Sequence, residues 1–261
     1  MISLINSLSF SKLNKLGALF VFFVSLLTYT LTLEPTTSFW DCGEYIATAY
    51  KIQVGHPPGA PLFVIIANFF SNLTFGNTEN VAWMINFMSA LCSALTIVFL
   101  YWIIIILCKK IINKNKTTEL TFYSKFSILF SGIIGSLIYT FSDSFWFSAV
   151  EGEVYAMSSL FTAVVFWSIL KWEEEYKQIN SSRWLVFIAF LIGLSVGVHM
   201  LNLLAIPAIT SIYLYKTWRF KSKETSFFTK FKHFSIVNLS GILILGIISV
   251  SYTHLTLPTK A

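Results

Sequence analysis

The run VAWMINFMSALCSALTIVFLYWIIIILC, residues 81–108, decides the fold class of this chain. It carries no charged side chain, and Lys109 and Lys110 follow it directly. About 20 apolar residues are needed for a helix to cross a hydrocarbon core of roughly 30 Å. The run therefore predicts a helix that spans a membrane.

The composition of all 261 residues agrees with that prediction. The AVILMFWYC residues make up 56% of the chain, and the mean hydropathy is +0.72. Charged residues make up only 11%, against about 25% in an average soluble domain. Three cysteines form no CxxC pair. These values exclude a soluble enzyme, a disordered chain and a disulfide scaffold, and they indicate a multi-pass membrane protein.

Further apolar runs predict the remaining spans. They cover residues 16–33, 126–142, 154–170, 184–215 and 234–250. The stretch 184–215 is too long for one crossing, and the run 61–73 is short for a span. Cytosolic Lys and Arg orient membrane helices. Basic clusters at 109–116 and 216–223 fall on the cytosolic side only if 61–73 does not cross and 184–215 forms a hairpin, whose tip we place near Gly197–Asn202.

In this topology every basic residue except Lys51 and Lys260 is cytosolic, which explains the net charge of +6 without nucleic acid. Seven acids are external: Glu34, Asp41, Glu44, Glu79, Asp143, Glu151 and Glu153. We predict an all-α, polytopic transmembrane helical bundle. Residues 1–250 form one transmembrane domain, the N-terminal part of a longer chain. Residues 251–261 (SYTHLTLPTKA) are read as a non-native tail, because they resemble translated adapter sequence.

The segment FWDCGEY, residues 39–45, holds the first external cluster. Asp41 and Glu44 are three residues apart, so they share one face of a helix. The following YIATAYKI favours a short external helix in this first loop. Two carboxylates on one face suit general-base catalysis or binding of a divalent cation. The other interpretation is a solvated pair of acids on a loop.

The segment GHPPGAP, residues 55–61, follows that helix. Its prolines predict an extended turn, and Pro61 can begin a short helix over 61–73. His56 in this turn could bind a phosphate or orient a hydroxyl. An exposed histidine without a role is the competing interpretation.

Two further clusters lie at the predicted external ends of later spans. Glu153 and Tyr155 stand where an apolar helix begins, and a charge deeper in the bilayer would cost at least ~2.5 kcal/mol. His199 and Asn202 again share a helical spacing of three. An interhelical hydrogen bond is the alternative for that pair.

Three segments together carry a resemblance to a known family. They are FWDCGEYIATAYKIQVGHPPGAPLF (39–63), AVEGEVYAM (149–157) and GLSVGVHMLNLLAIPA (193–208). Over residues 16–215 the chain resembles the domain-of-unknown-function 2723 family of multi-pass proteins. That family is common in Bacteroidetes-type bacteria and is related to protein O-mannosyltransferases of the GT-C glycosyltransferase type.

The resemblance implies a GT-C-like N-terminal part of a membrane glycosyltransferase. Its donor would be a polyprenyl-phosphate-linked sugar such as mannose, and its acceptor a protein or glycan hydroxyl. The site would face the periplasm of a bacterial inner membrane. The role of catalytic base falls on Asp41, with Glu44 as the companion acid.

We expect a single displacement with inversion. Asp41 would deprotonate the acceptor, and His56 would bind the leaving phosphate. Four further residues would line the substrate pocket: Glu153, Tyr155, His199 and Asn202.

The sequence contains no Walker A, GxSxG, HExxH or dinucleotide motif, so we expect no nucleotide cofactor. A shared divalent cation stays open. A multi-pass transporter or flippase of lipid-linked substrates is the alternative function, because intramembrane acids also serve such proteins.

Overall fold

A computed structural model of the protein describes residues 9–57, 59–112 and 121–221, with isolated positions from 228 to 246. The suspected tail 251–261 and most of the predicted span 234–250 lie outside the described residues.

The described residues form α-helices and two 3₁₀ turns, with no strand among them, which confirms the all-α prediction. The helices are α1 (Phe10–Leu31), α2 (Cys42–Lys51), α3 (Pro61–Asn72), α4 (Val81–Ile112), α5 (Phe122–Thr140), α6 (Asp143–Ala149), α7 (Val154–Glu175), α8 (Ser182–Val196) and α9 (Ala205–Lys221). The 3₁₀ turns are Thr78–Asn80 and Met200–Leu204.

Four stretches among the described residues are long and apolar enough to span a membrane. They are α1, the stretch Thr78–Ile112 that contains α4, α5 and α7. The sequence predicted a span in each of these places. The protein is therefore a polytopic membrane protein, and α4 is its longest apolar helix.

Helix α4 lies at the centre of the bundle, where it packs against α1, α5 and α7. The side chains of α4 are apolar on all sides of the helix rather than along one stripe. This pattern is typical of a helix that is enclosed by other helices. Tyr101 of α4 is fully buried between α1 and α5. Because these three helices pack along α4, their termini lie near one another at each end of it.

The apolar stretch 184–215 breaks where the sequence predicted a tip. Helix α8 ends at Val196, and the chain turns through Gly197 before the 3₁₀ turn and α9. Both helices pack against α7. Leu185 near the start of α8 and Tyr213 in α9 line one cavity of about 390 Å³, so the two helices run in opposite directions.

Helix α3 begins and ends at the same end of the bundle. Pro61 is its first residue, as predicted, and the backbone N–H of Leu62 donates to Gly197 O at 2.8 Å. After α3 the chain enters α4 through the turn Thr78–Asn80. Helix α3 therefore does not traverse the bundle, in agreement with the prediction for 61–73.

Candidate active site

Helix α2 builds the centre of the candidate site. Asp41 is its N-cap residue, but the carboxylate makes no capping hydrogen bond, so it remains available. Glu44 lies one turn later and is exposed on the same helix. The partial positive charge at a helix N-terminus favours acids there. The short helix predicted in this loop is confirmed.

The chain then returns over the helix and brings His56 to Glu44. Ile52 ends α2 in a left-handed conformation with φ of 50°, and the N–H of Gln53 donates to Thr48 O at 2.8 Å. Gly55 comes so close to Glu44 that a Cβ there would lie 3.0 Å from Oε1. A residue with a side chain at this position would push the turn away from the carboxylate.

Glu44 holds His56 with both of its carboxylate oxygens. The backbone N–H of His56 donates to Oε1 at 2.6 Å, and Nδ1 of the ring lies 3.1 Å from Oε2. The backbone hydrogen bond from His56 lowers the pKa of Glu44, and the ring contact acts in the same direction. Glu44 is therefore ionised at neutral pH.

The other ring nitrogen of His56 faces Asp41, with Nε2 3.8 Å from Oδ2. One ligand atom from each of Asp41, Glu44 and His56 lies within 4.8 Å of the other two. These are the residue types and the spacing that could hold a divalent cation, and such a cation stays a prediction. In the structure the ring of His56 lies between the two carboxylates and links Asp41 to Glu44.

Two buried glutamates lie beside this group. Glu151 and Glu153 are 2% and 4% exposed and precede α7. Burial, together with the charges of Glu151 and Asp41, raises the pKa of Glu153 to about 7. Glu153 also accepts a hydrogen bond from the backbone N–H of Asp41, which acts in the opposite direction. A neutral glutamic acid can therefore exist here near pH 7.

Tyr45 packs against the rings of two other residues at the site, His56 and Phe63. Its ring centroid lies 5.9 Å from that of His56 and 5.2 Å from that of Phe63. Burial raises the pKa of Tyr45 to about 12, with contributions from the charges of Asp41, Glu153 and Tyr155. The phenol therefore stays protonated and can donate a hydrogen bond.

Tyr155 and His199 form a second pair, with ring centroids 5.5 Å apart. Nδ1 of His199 accepts the backbone N–H of Leu201 at 3.2 Å, and burial lowers the pKa of the ring. His199 is therefore neutral at pH 7, with its hydrogen on Nε2.

Asn202 differs from the other predicted residues, because its side chain is engaged within the bundle. Its Oδ1 accepts from Ser158 at 2.5 Å and from Thr162 at 3.2 Å, while Nδ2 donates to Ser195 O. This is the interhelical hydrogen bonding that the sequence left open as an alternative. Its substrate-binding role stays a prediction.

Two residues at this end were not singled out from the sequence. Asn86 in α4 is fully buried and donates to the carbonyls of Glu34 and Thr36 at 2.7 and 2.8 Å. It fixes the chain that enters α2. A lone asparagine within an apolar run was the available signal. Tyr45 was visible only as part of the motif, since its contacts depend on the return of the chain at His56.

Comparisons with known proteins show which family the chain resembles. Residues 41–222 match the family described as "Protein O-mannosyl-transferase TMEM260 N-terminal domain". The protein O-mannosyl-transferase tmem260 of Dictyostelium discoideum is 29% identical over 207 residues, which cover 75% of this chain and 23% of that protein. Protein O-mannosyl-transferase TMEM260 of Mus musculus is 27% identical over 182 residues, which cover 69% and 23%.

The chain thus spans about 23% of the length of the curated relatives it matches. No solved structure matches it. The relation to protein O-mannosyltransferases expected from the three segments is confirmed. The assignment to the domain-of-unknown-function 2723 family stays a prediction.

Proposed function

The chain belongs to the family of the protein O-mannosyl-transferase TMEM260 N-terminal domain, and from that premise we propose that it carries the catalytic base of a membrane glycosyltransferase. The enzyme transfers a sugar, mannose, from a polyprenyl-phosphate donor to a hydroxyl of a protein. The reaction takes place at the non-cytosolic face, which is the periplasm in the bacterial inner membrane expected from the sequence.

One observation carries the proposal: the carboxylate of Asp41 is exposed, makes no capping hydrogen bond, and lies beside His56 at the end of the bundle where the acids predicted to be external meet. A polyprenyl donor keeps its sugar phosphate at the membrane interface, so the reacting groups must lie at the end of the helices.

The reaction is a single displacement. Asp41 accepts the proton of the acceptor hydroxyl, and the oxygen forms a bond to the anomeric carbon. The bond between that carbon and the phosphate oxygen breaks, and its electron pair leaves with polyprenyl phosphate. A phosphate leaving group needs no acid to protonate it, so one base is sufficient.

Glu153, Tyr155 and His199 are proposed to bind the sugar phosphate. A neutral Glu153 can donate a hydrogen bond, where an ionised acid would repel the phosphate. His199 offers Nε2–H, since Nδ1 is occupied by the N–H of Leu201. The ion pairs described at this site include no Lys or Arg. Neutral hydrogen-bond donors would therefore bind the phosphate in place of a positive charge.

The polyprenyl chain has a groove of about 350 Å³ available between α4 and α7. Leu100, Ile103, Ala163 and Phe166 supply most of its apolar wall. The groove also includes Ser158, one helical turn after Tyr155, so it continues from the site along α7. This continuity favours the lipid of the donor as its occupant.

The proposal is tested with Asp41→Asn in the complete membrane protein. We expect transfer of radiolabelled mannose from the lipid carrier to a peptide to fall by ~10²-fold or more, the usual contribution of a general base. Asp143→Asn makes the same chemical change at an exposed acid in α6 and should leave transfer unchanged.

Parent-like transfer by a correctly inserted Asp41→Asn protein would remove Asp41 from the reaction. If vesicles accumulate the lipid-linked sugar without any covalent product, the protein is a transporter instead.

A further inference from the structure

We propose that Glu44 acts through His56: it fixes the imidazole so that Nε2 faces Asp41 and receives the proton that Asp41 takes from the acceptor. Glu44 is thus a positioning residue rather than a second base. The inference rests on the proposed function of Asp41 and adds a route for the proton.

Both carboxylate oxygens of Glu44 contact His56. Oε1 is 2.6 Å from the backbone nitrogen of His56, and Oε2 is 3.1 Å from Nδ1. An ionised carboxylate only accepts hydrogen bonds, so Nδ1 must carry the ring hydrogen. The tautomer of a histidine is set by the bond that its other nitrogen makes. Nε2 of the neutral ring is therefore the free acceptor.

The orientation of the ring directs that acceptor to the base. Nε2 lies 3.8 Å from Oδ2 of Asp41, within reach of an ion pair once the ring is protonated. The ring is also held from the side, because it packs beside Tyr45, which in turn packs on Phe63. Gly55 and the two-point contact with Glu44 fix the backbone of the turn.

The two carboxylates, those of Asp41 and Glu44, lie at opposite nitrogens of the ring. Within the described residues, every ion pair of Asp41 and Glu44 is made with His56. A proton that reaches Nε2 therefore lies between two carboxylates and is attracted by both.

The proton balance is complete. The acceptor O–H bond breaks, and its proton passes to Asp41 while oxygen bonds to the anomeric carbon. The proton then moves from Asp41 to Nε2 once the two side chains close from 3.8 Å to hydrogen-bond distance, and this restores the carboxylate for the next turnover. The side chain of His56 is 41% exposed, so the ring can release the proton to water.

The experiment compares parent, Glu44→Gln, His56→Gln and the double variant in the complete protein, with kcat and KM measured for peptide mannosylation. We expect each single change to lower kcat by ~10²-fold and to alter KM by less than ~3-fold. The double variant should be no slower than His56→Gln, because Glu44 acts only through the ring. Glu79→Gln, an exposed acid at the same end, is the matched control with parent rates.

A second readout does not depend on activity. In protein labelled with ¹⁵N-histidine, the signal lost in His56→Gln identifies His56. We expect it to show hydrogen on Nδ1 in the parent and in Glu44→Asp, and a shift towards hydrogen on Nε2 in Glu44→Gln. An unchanged tautomer in a folded Glu44→Gln protein overturns the positioning role.

The outcomes separate this inference from the proposed function. If Asp41→Asn abolishes transfer while His56→Gln and Glu44→Gln keep the parent kcat, the proton route is wrong and the base stands. If Glu44→Gln still lowers kcat in the His56→Gln background, Glu44 acts independently of the ring. If Asp41→Asn itself retains transfer, the proposed function fails.

Discussion

Glu153 is an acid in a place that disfavours its charge. It is 4% exposed, its Oε1 has no hydrogen-bond partner in the part of the chain that the structure describes, and Glu151 lies two residues before it. Burial and neighbouring negative charges raise its pKa from 4.5 to about 7. Such a group is kept at a cost to stability, and this is common where a neutral acid is used for binding or catalysis.

The sign of the pH dependence follows from this shift. Between pH 4.5 and about 7 the unfolded chain releases the proton while the folded protein keeps it. Stability therefore falls as the pH rises through this interval, and above it the penalty approaches ~3 kcal/mol. Glu153→Gln should raise the midpoint of thermal unfolding in detergent by several degrees at pH 8 and by little at pH 4.5.

Glu79→Gln provides the control for that prediction, because Glu79 is exposed. It should leave the midpoint unchanged at both pH values. An equal shift for Glu153→Gln at pH 4.5 and pH 8 would mean that packing, and not ionisation, is responsible.

At the scale of elements, Tyr101 determines how closely α1, α4 and α5 approach one another. A Cβ atom added at Gly132 in α5 would lie 2.8 Å from the ring of Tyr101. A Cβ atom added at Gly17 in α1 would clash with its hydroxyl. Small residues allow membrane helices to pack at short distance, since packing drives their association. Both glycines are therefore needed for the three-helix contact.

Gly132→Ala should destabilise the folded protein by ~1–3 kcal/mol, because the methyl group forces the ring of Tyr101 or the helix to move. Gly193→Ala in α8 is the matched control, since among the described residues no atom outside the adjoining part of α8 lies within 4 Å of a Cβ there. Thermal unfolding in detergent measures both. In a Tyr101→Leu background, Gly132→Ala should cost less stability than in the parent. If Gly132→Ala costs the same stability in both backgrounds, the contact with Tyr101 is not the cause.

The groove between α4 and α7 gives a prediction about the donor. Ala163→Trp should fill part of it and raise KM for the lipid-linked donor by ~10-fold, with KM for the peptide unchanged. Ser131→Trp adds the same ring to an exposed position of α5 and should have no such effect. A parent KM for the donor in Ala163→Trp would show that the polyprenyl chain lies elsewhere.

The sequence was sufficient for features that depend on local patterns. Hydropathy and positive charge located the spans, Pro61 marked the start of α3, and spacing placed Asp41 and Glu44 one turn apart. It could not show that Glu44 binds His56, since that contact spans twelve residues and depends on the left-handed conformation of Ile52. Nor could it show that Glu151 is buried, because a buried and a solvated glutamate look alike in sequence.

For the whole molecule, the two ends of the bundle differ in charge. At one end lie Glu34, Asp41, Glu44, Glu151 and Glu153. At the other end, Lys110 and Lys216 both pair with Glu173, and Arg183 pairs with Glu175. Basic residues remain preferentially on the cytosolic side of membrane proteins. This asymmetry supports the proposal that Asp41 lies on the non-cytosolic side.

Cysteine labelling tests this orientation. Val54 and Ile179 are 92% and 100% exposed and belong to opposite ends. Cys42 and Cys92 are buried, so replacing Cys108 by serine leaves a low background. On intact cells, a membrane-impermeant maleimide should label Val54→Cys, while Ile179→Cys should react only after permeabilisation. The reverse pattern would place Asp41 in the cytosol, on the side opposite to the one from which the proposed donor presents its sugar.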